Sequence, residues 1–168
     1  MARNRLSSIM VHFSGLIIIA PLLVPIAANG NDSSEKLADR RNLQQEFLEL
    51  YDAERFIQSI LPASRIVTLT EEIYGEKSFK LITPLNNLAS AYYMVEDFEN
   101  AQLLFLRCIE LIEANQNIIS PELIEPLYGF GLTLNRFEQY QEAIDILERA
   151  LRINHVNEGF HNLAQLKL

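Results

Sequence analysis

The sequence lacks tryptophan, has a single cysteine, and carries only six glycines and six prolines among its 168 residues. Scarce Gly and Pro, together with abundant Leu, Ile, Glu and Ala, argue against a disordered or β-rich chain and favour helices. Basic residues are also in deficit, because 14 Lys and Arg stand against 22 Asp and Glu, for a formal net charge of −8. Nucleic-acid binding needs clustered cations, so that function is disfavoured. With 49% hydrophobic residues, the chain is long enough for one domain with a core.

Residues that could carry chemistry are equally scarce. Cys108 has no His or Asp neighbour at helical spacing and no second thiol to pair with, so we predict a small buried core residue. Beyond the N-terminal segment the only histidines are His155 and His161, whose spacing of six does not place two ligands on one helical face. No Gly-rich phosphate loop is present. The sequence therefore predicts no catalytic residue, no metal site and no cofactor.

Residues 1–30 differ in character from the rest and are set aside from the fold. Arg3 and Arg5 precede the apolar run GLIIIAPLLVPIAA at residues 15–28, and the small residues Ala28 and Gly30 occupy the −3 and −1 places of a cleavage site. This pattern predicts a signal peptide, with an uncleaved N-terminal anchor as the alternative. We therefore expect an exported, periplasmic protein, or one anchored in a bacterial inner membrane and facing the periplasm.

The remaining chain repeats itself. A shift of 42 residues without a gap aligns residues 78–111 with residues 120–153. Each unit contains two segments with regularly spaced apolar residues, which we call apolar stripes, and a short polar segment between them. Identical residues occur at equivalent positions throughout both units. These pairs include Ser78/Ser120, Leu81/Leu123, Pro84/Pro126, Leu85/Leu127, Glu96/Glu138, Ala101/Ala143 and Arg107/Arg149. Each stripe has the spacing of three to four residues that is typical of an amphipathic helix. Each unit is therefore predicted to be a helical hairpin.

The starts of these hairpins are less clearly marked. Ser78 and Ser120 are predicted N-caps. Pro84 and Pro126 follow soon afterwards, and a proline inside a helix removes a backbone hydrogen bond. Either the helices begin at the prolines or they bend there.

The large and small positions of the two units resemble the tetratricopeptide repeat. In that family helix A carries a large residue, a Leu, a small residue and a Tyr, and helix B an aromatic, an Ala, an aromatic and a final Ala. The matching positions are Leu85, Leu88, Ala89, Tyr92, Phe98, Ala101, Phe105 and Cys108, then Leu127, Phe130, Gly131, Leu134, Tyr140, Ala143, Leu147 and Ala150. The period of 42 exceeds the usual value of about 34 and is similar to the extended repeats of kinesin light chains.

The resemblance implies an all-α fold, an α-solenoid of antiparallel helix hairpins over residues 43–168. Residues 43–75 fit a degenerate first hairpin, in which Ser59 replaces the expected Ala and Pro62 interrupts helix B. Residues 31–42 are polar and predicted to be a linker, with the frayed start of a helix as the alternative. Residues 156–168 look like a partial repeat, the front half of another helix A, whose bare apolar face predicts self-association.

The resemblance also implies a place for a partner, because helix A residues outside the core face a concave groove in this family. Carried over by position, the partner-binding candidates are Asn86, Ser90, Tyr93, Met94, Tyr128, Leu132, Asn135 and Arg136. Family members that bind C-terminal carboxylates use a Lys and Asn set at such places. Here Asn86, Asn87 and Arg136 match only in part and the Lys is missing, so a carboxylate clamp is disfavoured.

These observations predict a non-catalytic protein–protein interaction scaffold of the bacterial cell envelope, which binds a peptide or partner protein in the groove. The alternative is a truncated N-terminal portion of a larger exported protein or enzyme. The expected partner is a protein or peptide and not a nucleic acid. Membrane contact is expected only through the N-terminal segment, if that segment stays uncleaved.

Overall fold

Six α-helices follow one another in the computed structural model of the chain, which describes the backbone of residues 29–165 and the side chains of residues 32–158. Their bounds are α1 Asn29–Asp52, α2 Phe56–Tyr74, α3 Ile82–Met94, α4 Phe98–Asn115, α5 Ile124–Arg136 and α6 Tyr140–Gln165. Within residues 29–165 there is no strand, and the predicted all-α class is confirmed. Consecutive helices pair as hairpins, and each hairpin stacks on the next through α2 against α3 and α4 against α5. We call the first helix of each hairpin helix A and the second helix B.

One turn geometry joins the two helices in all three hairpins. A Glu with left-handed backbone recurs every 42 residues, at Glu54 (φ 58°), Glu96 (φ 64°) and Glu138 (φ 60°). The backbone N–H of the residue after each Glu donates to the carbonyl five residues before it. The pairs are Arg55 to Leu50, Asp97 to Tyr92 and Gln139 to Leu134. This hydrogen bond closes helix A in the Schellman manner. The hairpin formed by α1 and α2 therefore shares the 42-residue register of the other two.

The prolines lie at the starts of α3 and α5. A short 3₁₀ turn precedes each helix, at Phe79–Leu81 and at Pro121–Leu123. Pro84 and Pro126 then fall in the first α-helical turn, where a backbone N–H has no partner within the helix to lose. The helices therefore begin just before the prolines and do not need to bend at them.

Ser78 and Ser120 act differently although they occupy equivalent places. The Ser78 hydroxyl accepts a hydrogen bond from the Lys80 N–H at 3.3 Å, so Ser78 caps the 3₁₀ turn. Ser120 makes no cap bond; its hydroxyl instead lies within hydrogen-bonding distance of the Gln116 and Glu122 side chains. The predicted cap is thus correct for Ser78 and wrong for Ser120.

The polar linker predicted at residues 31–42 is instead the first half of α1. Its polar side chains find partners on α2. Lys36 Nζ lies 2.9 Å from Glu72 Oε2, and Arg40 Nε donates to Thr70 Oγ1 at 2.8 Å. These bonds connect residues at least 30 positions apart, so local hydrophobic periodicity does not reveal them.

Two other boundaries differ from the sequence prediction. Pro62 does not interrupt α2, which continues from Phe56 to Tyr74 with Pro62 on its buried face. The partial repeat predicted at residues 156–168 does not begin a separate helix A, since α6 continues without a turn through Gln165. Residues 1–28 of the signal peptide predicted at residues 1–30, and the side chains of Phe160–Leu168, lie outside the described residues.

Small residues sit where helices A and B meet. Ala89 on α3 and Ala101 on α4 are fully buried, as is Gly131 on α5. A Cβ added to Gly131 would lie 2.7 Å from the Leu147 side chain of α6, closer than carbon atoms approach. The helices of a hairpin can therefore come together only because these positions are small.

Polar bonds between successive hairpins also recur at the repeat period. Arg107 Nη2 lies 2.6 Å from Glu71 Oε1, and Arg149 pairs in the same way with Glu113, each residue being 42 positions further on. These pairs are partly exposed, so each contributes at most about 1 kcal/mol. Their recurrence shows that successive B helices keep the same position relative to one another.

The substitution Ala101→Arg should unfold the protein, because it places a charge between the closely packed helices α3 and α4. We expect a loss of more than about 4 kcal/mol in the free energy of unfolding, or no cooperative transition, in urea denaturation followed by circular dichroism. Leu103→Arg on the same helix is the control, since Leu103 is 65% exposed. Equal stability of the two variants would contradict the packing register.

Glu138→Gly should stabilise the protein by about 0.5–1 kcal/mol, because glycine adopts the left-handed conformation at position 138 without steric strain. Glu142→Gly in the first turn of α6 is the matched control and should destabilise by about 1 kcal/mol, since a helical glycine is unfavourable. Thermal denaturation of both variants measures the difference. A destabilised Glu138→Gly variant would show that the turn carries no strain.

Candidate binding groove

The three A helices, α1, α3 and α5, line one concave groove. It encloses about 520 Å³. Most of the side chains around it are apolar or aromatic, and a few are polar. The lining residues are Phe47, Leu48, Tyr51, Asn86, Asn87, Ser90, Tyr93, Met94, Phe105, Glu125, Tyr128, Gly129 and Leu132.

Six of the eight sequence candidates line this groove, namely Asn86, Ser90, Tyr93, Met94, Tyr128 and Leu132. Asn135 and Arg136 do not, because they lie on the last turn of α5 beyond the groove wall. Arg136 packs its guanidinium on aromatic faces, with Cζ 5.5 Å from the Phe98 ring centre and 6.0 Å from that of Tyr93. Its Nε also donates to the Tyr93 hydroxyl at 3.4 Å, which raises the arginine pKa. Arg136 therefore contacts the groove residue Tyr93 from outside the groove.

The wall contributed by α1 was missing from the sequence candidates. Phe47, Leu48 and Tyr51 form it. Tyr51 stands 42 residues before Tyr93, and Leu48 stands 42 residues before Ser90. Carrying the groove positions back by one repeat would have found both residues.

Gly129 forms part of the groove floor. A Cβ at this position would lie 2.3 Å from Cζ of the Phe105 ring. The glycine therefore allows α5 to rest directly on Phe105 of α4. Together, Gly129 facing α4 and Gly131 facing α6 let α5 pack closely on both sides. The two glycines of the GFG sequence at residues 129–131 thus serve the close packing of helices.

A pair of polar side chains joins α3 to α5 within the groove. Asn86 Nδ2 donates to Glu125 Oε2 at 3.1 Å. This bond fixes the orientation of the Asn86 amide, because a carboxylate accepts hydrogen bonds and the amide nitrogen must face it. Asn86 Oδ1 then points away from Glu125, buried and without a hydrogen-bond partner. An unsatisfied buried acceptor is uncommon in folded proteins and is expected to be filled by a donor.

Exposed apolar side chains surround this polar pair. Leu48 on α1 is 48% exposed, Met94 on α3 45% and Tyr128 on α5 56%. Tyr51 is partly buried among them, and burial raises its pKa. The groove thus presents apolar contact area on all three walls, together with the hydrogen-bonded pair Asn86 and Glu125.

Cys108 lies beneath the groove and is fully buried, so its predicted core position agrees with the structure. Its thiol donates to the Ile82 carbonyl at 3.5 Å. Burial, with a smaller contribution from the negative charge of Glu125, raises the pKa of the thiol to about 12. The thiol is therefore neutral at physiological pH and unsuited to nucleophilic attack.

Two kinds of site are not found in the part of the chain that the structure describes. No group of His, Cys, Asp and Glu side chains there could hold a metal ion. Nor does any helix there have the length and apolar character to cross a bilayer.

Residues 85–155, which run from within α3 to within α6, match the family model for the tetratricopeptide repeat. This part of the chain is therefore similar to tetratricopeptide repeats. Tetratricopeptide repeats generally mediate protein–protein interaction, and the groove lined by their A helices is an extended concave surface of the kind that such solenoids use.

A solved structure with the same fold is that of a chain from Podosopora anserina, described as a kinesin light chain with nearly identical TPR-like repeats. The two share 13% sequence identity with a TM-score of 0.60, over 73% of this chain and 56% of that chain. At this identity the likeness establishes the solenoid fold alone. The present chain spans little more than half of that chain's length. No curated protein matches the sequence significantly.

Proposed function

We propose that this protein is a non-catalytic scaffold that binds an extended peptide segment of a partner protein in the groove of α1, α3 and α5. The observation that carries the proposal is the buried, unpartnered Oδ1 of Asn86, a residue that lines that groove beside Glu125. A backbone N–H of an extended peptide is the kind of donor that would satisfy it.

The surroundings of Asn86 favour a peptide over a small polar metabolite. Leu48, Met94 and Tyr128 offer exposed apolar area on three different helices. A ligand that covers all three must be long enough to cross the groove and must carry apolar side chains. An extended peptide meets both needs, since its backbone supplies donors and its alternate side chains reach opposite walls.

The location in a bacterial envelope is proposed from the sequence, on the basic N-terminus with Arg3 and Arg5 and the apolar run at residues 15–28. The alternative, a repeat portion of a larger exported protein or enzyme, is compatible with the same groove. In either case the repeats supply binding, and any chemistry would be carried by another part of the assembly.

The test is selection of phage-displayed random dodecapeptides on the purified chain. We expect enrichment of peptides whose affinity falls at least about tenfold for Met94→Arg, because a bulky cation in the groove wall blocks apolar contacts there. Leu103→Arg, exposed on α4 outside the groove, should bind as the unchanged protein does. Failure to enrich any peptide, or equal loss in both variants, would refute groove binding.

A second candidate function is self-association at the exposed face of the last hairpin. A depression of about 480 Å³ lies there between α5 and α6, lined by Ile124, Tyr128, Leu147, Ala150, Leu151 and Asn154. In the hairpin formed by α3 and α4, the following helix α5 covers the equivalent face. Ile109 is accordingly 5% exposed, whereas Leu151, 42 residues later, is 58% exposed.

The occupant proposed for this face is the same face of a second copy. A head-to-tail arrangement is disfavoured, because the opposite end of the solenoid has a polar depression that includes Asp39, Asn42, Glu46 and Arg65. An isologous contact instead buries Leu151 against its counterpart and matches apolar surface to apolar surface.

Leu151→Glu should abolish the dimer in sedimentation velocity, since it places a charge in the centre of the contact. Leu103→Glu, at a comparably exposed leucine on α4, should leave the dimer intact. A monomeric unchanged protein at high concentration would contradict this second proposal without affecting groove binding.

A further inference from the structure

We infer that the groove selects peptides in which a Lys or Arg lies next to an apolar residue, with the basic side chain seated at Glu125. This specificity rests on the proposed groove binding. It extends that proposal by assigning a ligand chemistry to a particular pair of side chains, Asn86 and Glu125.

The charge of the groove is the first argument. Among the residues that line the groove in the described part of the chain, Glu125 is the only Asp, Glu, Lys or Arg. Arg136 lies at the other end of α5, eleven residues away, or roughly 16 Å along the helix at about 1.5 Å per residue. Its guanidinium faces the rings of Tyr93 and Phe98 and the charge of Glu96. It therefore leaves the charge of Glu125 uncompensated within the groove.

The hydrogen-bonding character of the polar pair is the second argument. Glu125 accepts one of the two Asn86 amide hydrogens, which leaves the second hydrogen, Asn86 Oδ1 and the remaining lone pairs of the Glu125 carboxylate. Acceptors therefore outnumber donors at this pair, and the carboxylate carries a negative charge. A ligand carboxylate would meet acceptors and a like charge, whereas a Lys ammonium or an Arg guanidinium would supply donors to both residues.

The position of the apolar side chains is the third argument. Tyr128 and Leu132 follow Glu125 at three and seven residues along α5, so they lie on the same side of the helix. Tyr128 is 56% exposed and can cover the aliphatic stem of a Lys or the plane of an Arg. A neighbouring apolar residue of the peptide then reaches Leu48 or Met94 on the facing walls.

The experiment compares the composition of the peptides selected from the random library with and without the charge of Glu125. Selection on the unchanged chain should enrich Lys or Arg beside Leu, Met or an aromatic residue. Selection on Glu125→Gln should lose the basic preference and keep the apolar one, since glutamine retains an acceptor for the Asn86 amide. Glu110→Gln, which removes a charge from an exposed position on α4, is the control and should give the original preference.

Affinity measurements then give the size of the effect. Replacing the selected Lys or Arg by Gln should weaken binding roughly fivefold in fluorescence anisotropy, as expected for a solvent-accessible ion pair, and the difference should shrink at high salt. In Glu125→Gln the same replacement should have almost no effect.

The outcomes separate the two proposals. Peptides that depend on Met94 but show no basic preference, or the same preference in Glu125→Gln, would overturn the inference and leave groove binding intact. A library that yields no groove-dependent peptide would overturn both. Enrichment of acidic peptides would overturn the inference in the strongest way, because it would reverse the sign of the recognised charge.

Discussion

The close approach of the two helices in each hairpin is the constraint on which the rest of the structure depends. Ala89 and Ala101 are fully buried where α3 meets α4, and Gly131 leaves no room for even a methyl group beside Leu147. Interiors packed this tightly do not adjust to added volume, so the small positions set the spacing of the helices. The turn at Glu54, Glu96 and Glu138 then repeats the same hairpin every 42 residues.

The groove follows from this repetition. Because each hairpin stacks on the last in one register, the A helices line up side by side and their outward positions share one concave face. The Arg107–Glu71 and Arg149–Glu113 pairs link successive B helices in the same repeated register. A few polar side chains lie on this face among apolar and aromatic ones. Asn86 and Glu125 are the clearest example, since their bond leaves one amide oxygen unpartnered.

Features that repeat at a fixed spacing could be predicted from the sequence. The all-α class, the two hairpins at residues 78–111 and 120–153, and the positions of Ala101 and Cys108 all depend on local periodicity. The first half of α1 was mistaken for a linker because its polar residues are stabilised by Glu72 and Thr70, far away in the chain. Glu125 was missed for a related reason. Its partner Asn86 is 39 residues away, so the pair does not follow the 42-residue register. Arg136 was placed in the groove by position, but the nearby aromatic rings hold it outside.

The most direct measurement of the central claim is the side-chain amide signal of Asn86 in a two-dimensional nitrogen–proton NMR spectrum, recorded while a library-selected peptide is added. The account predicts that this signal and the backbone amides of Ser90, Tyr128 and Leu132 shift together, because the ligand donates to Asn86 Oδ1 and covers the walls beside it. Signals from exposed positions outside the groove, such as Leu61 on α2 and Leu103 on α4, should stay in place. Shifts confined to those outer positions, with the Asn86 amide unmoved by a saturating peptide, would contradict it.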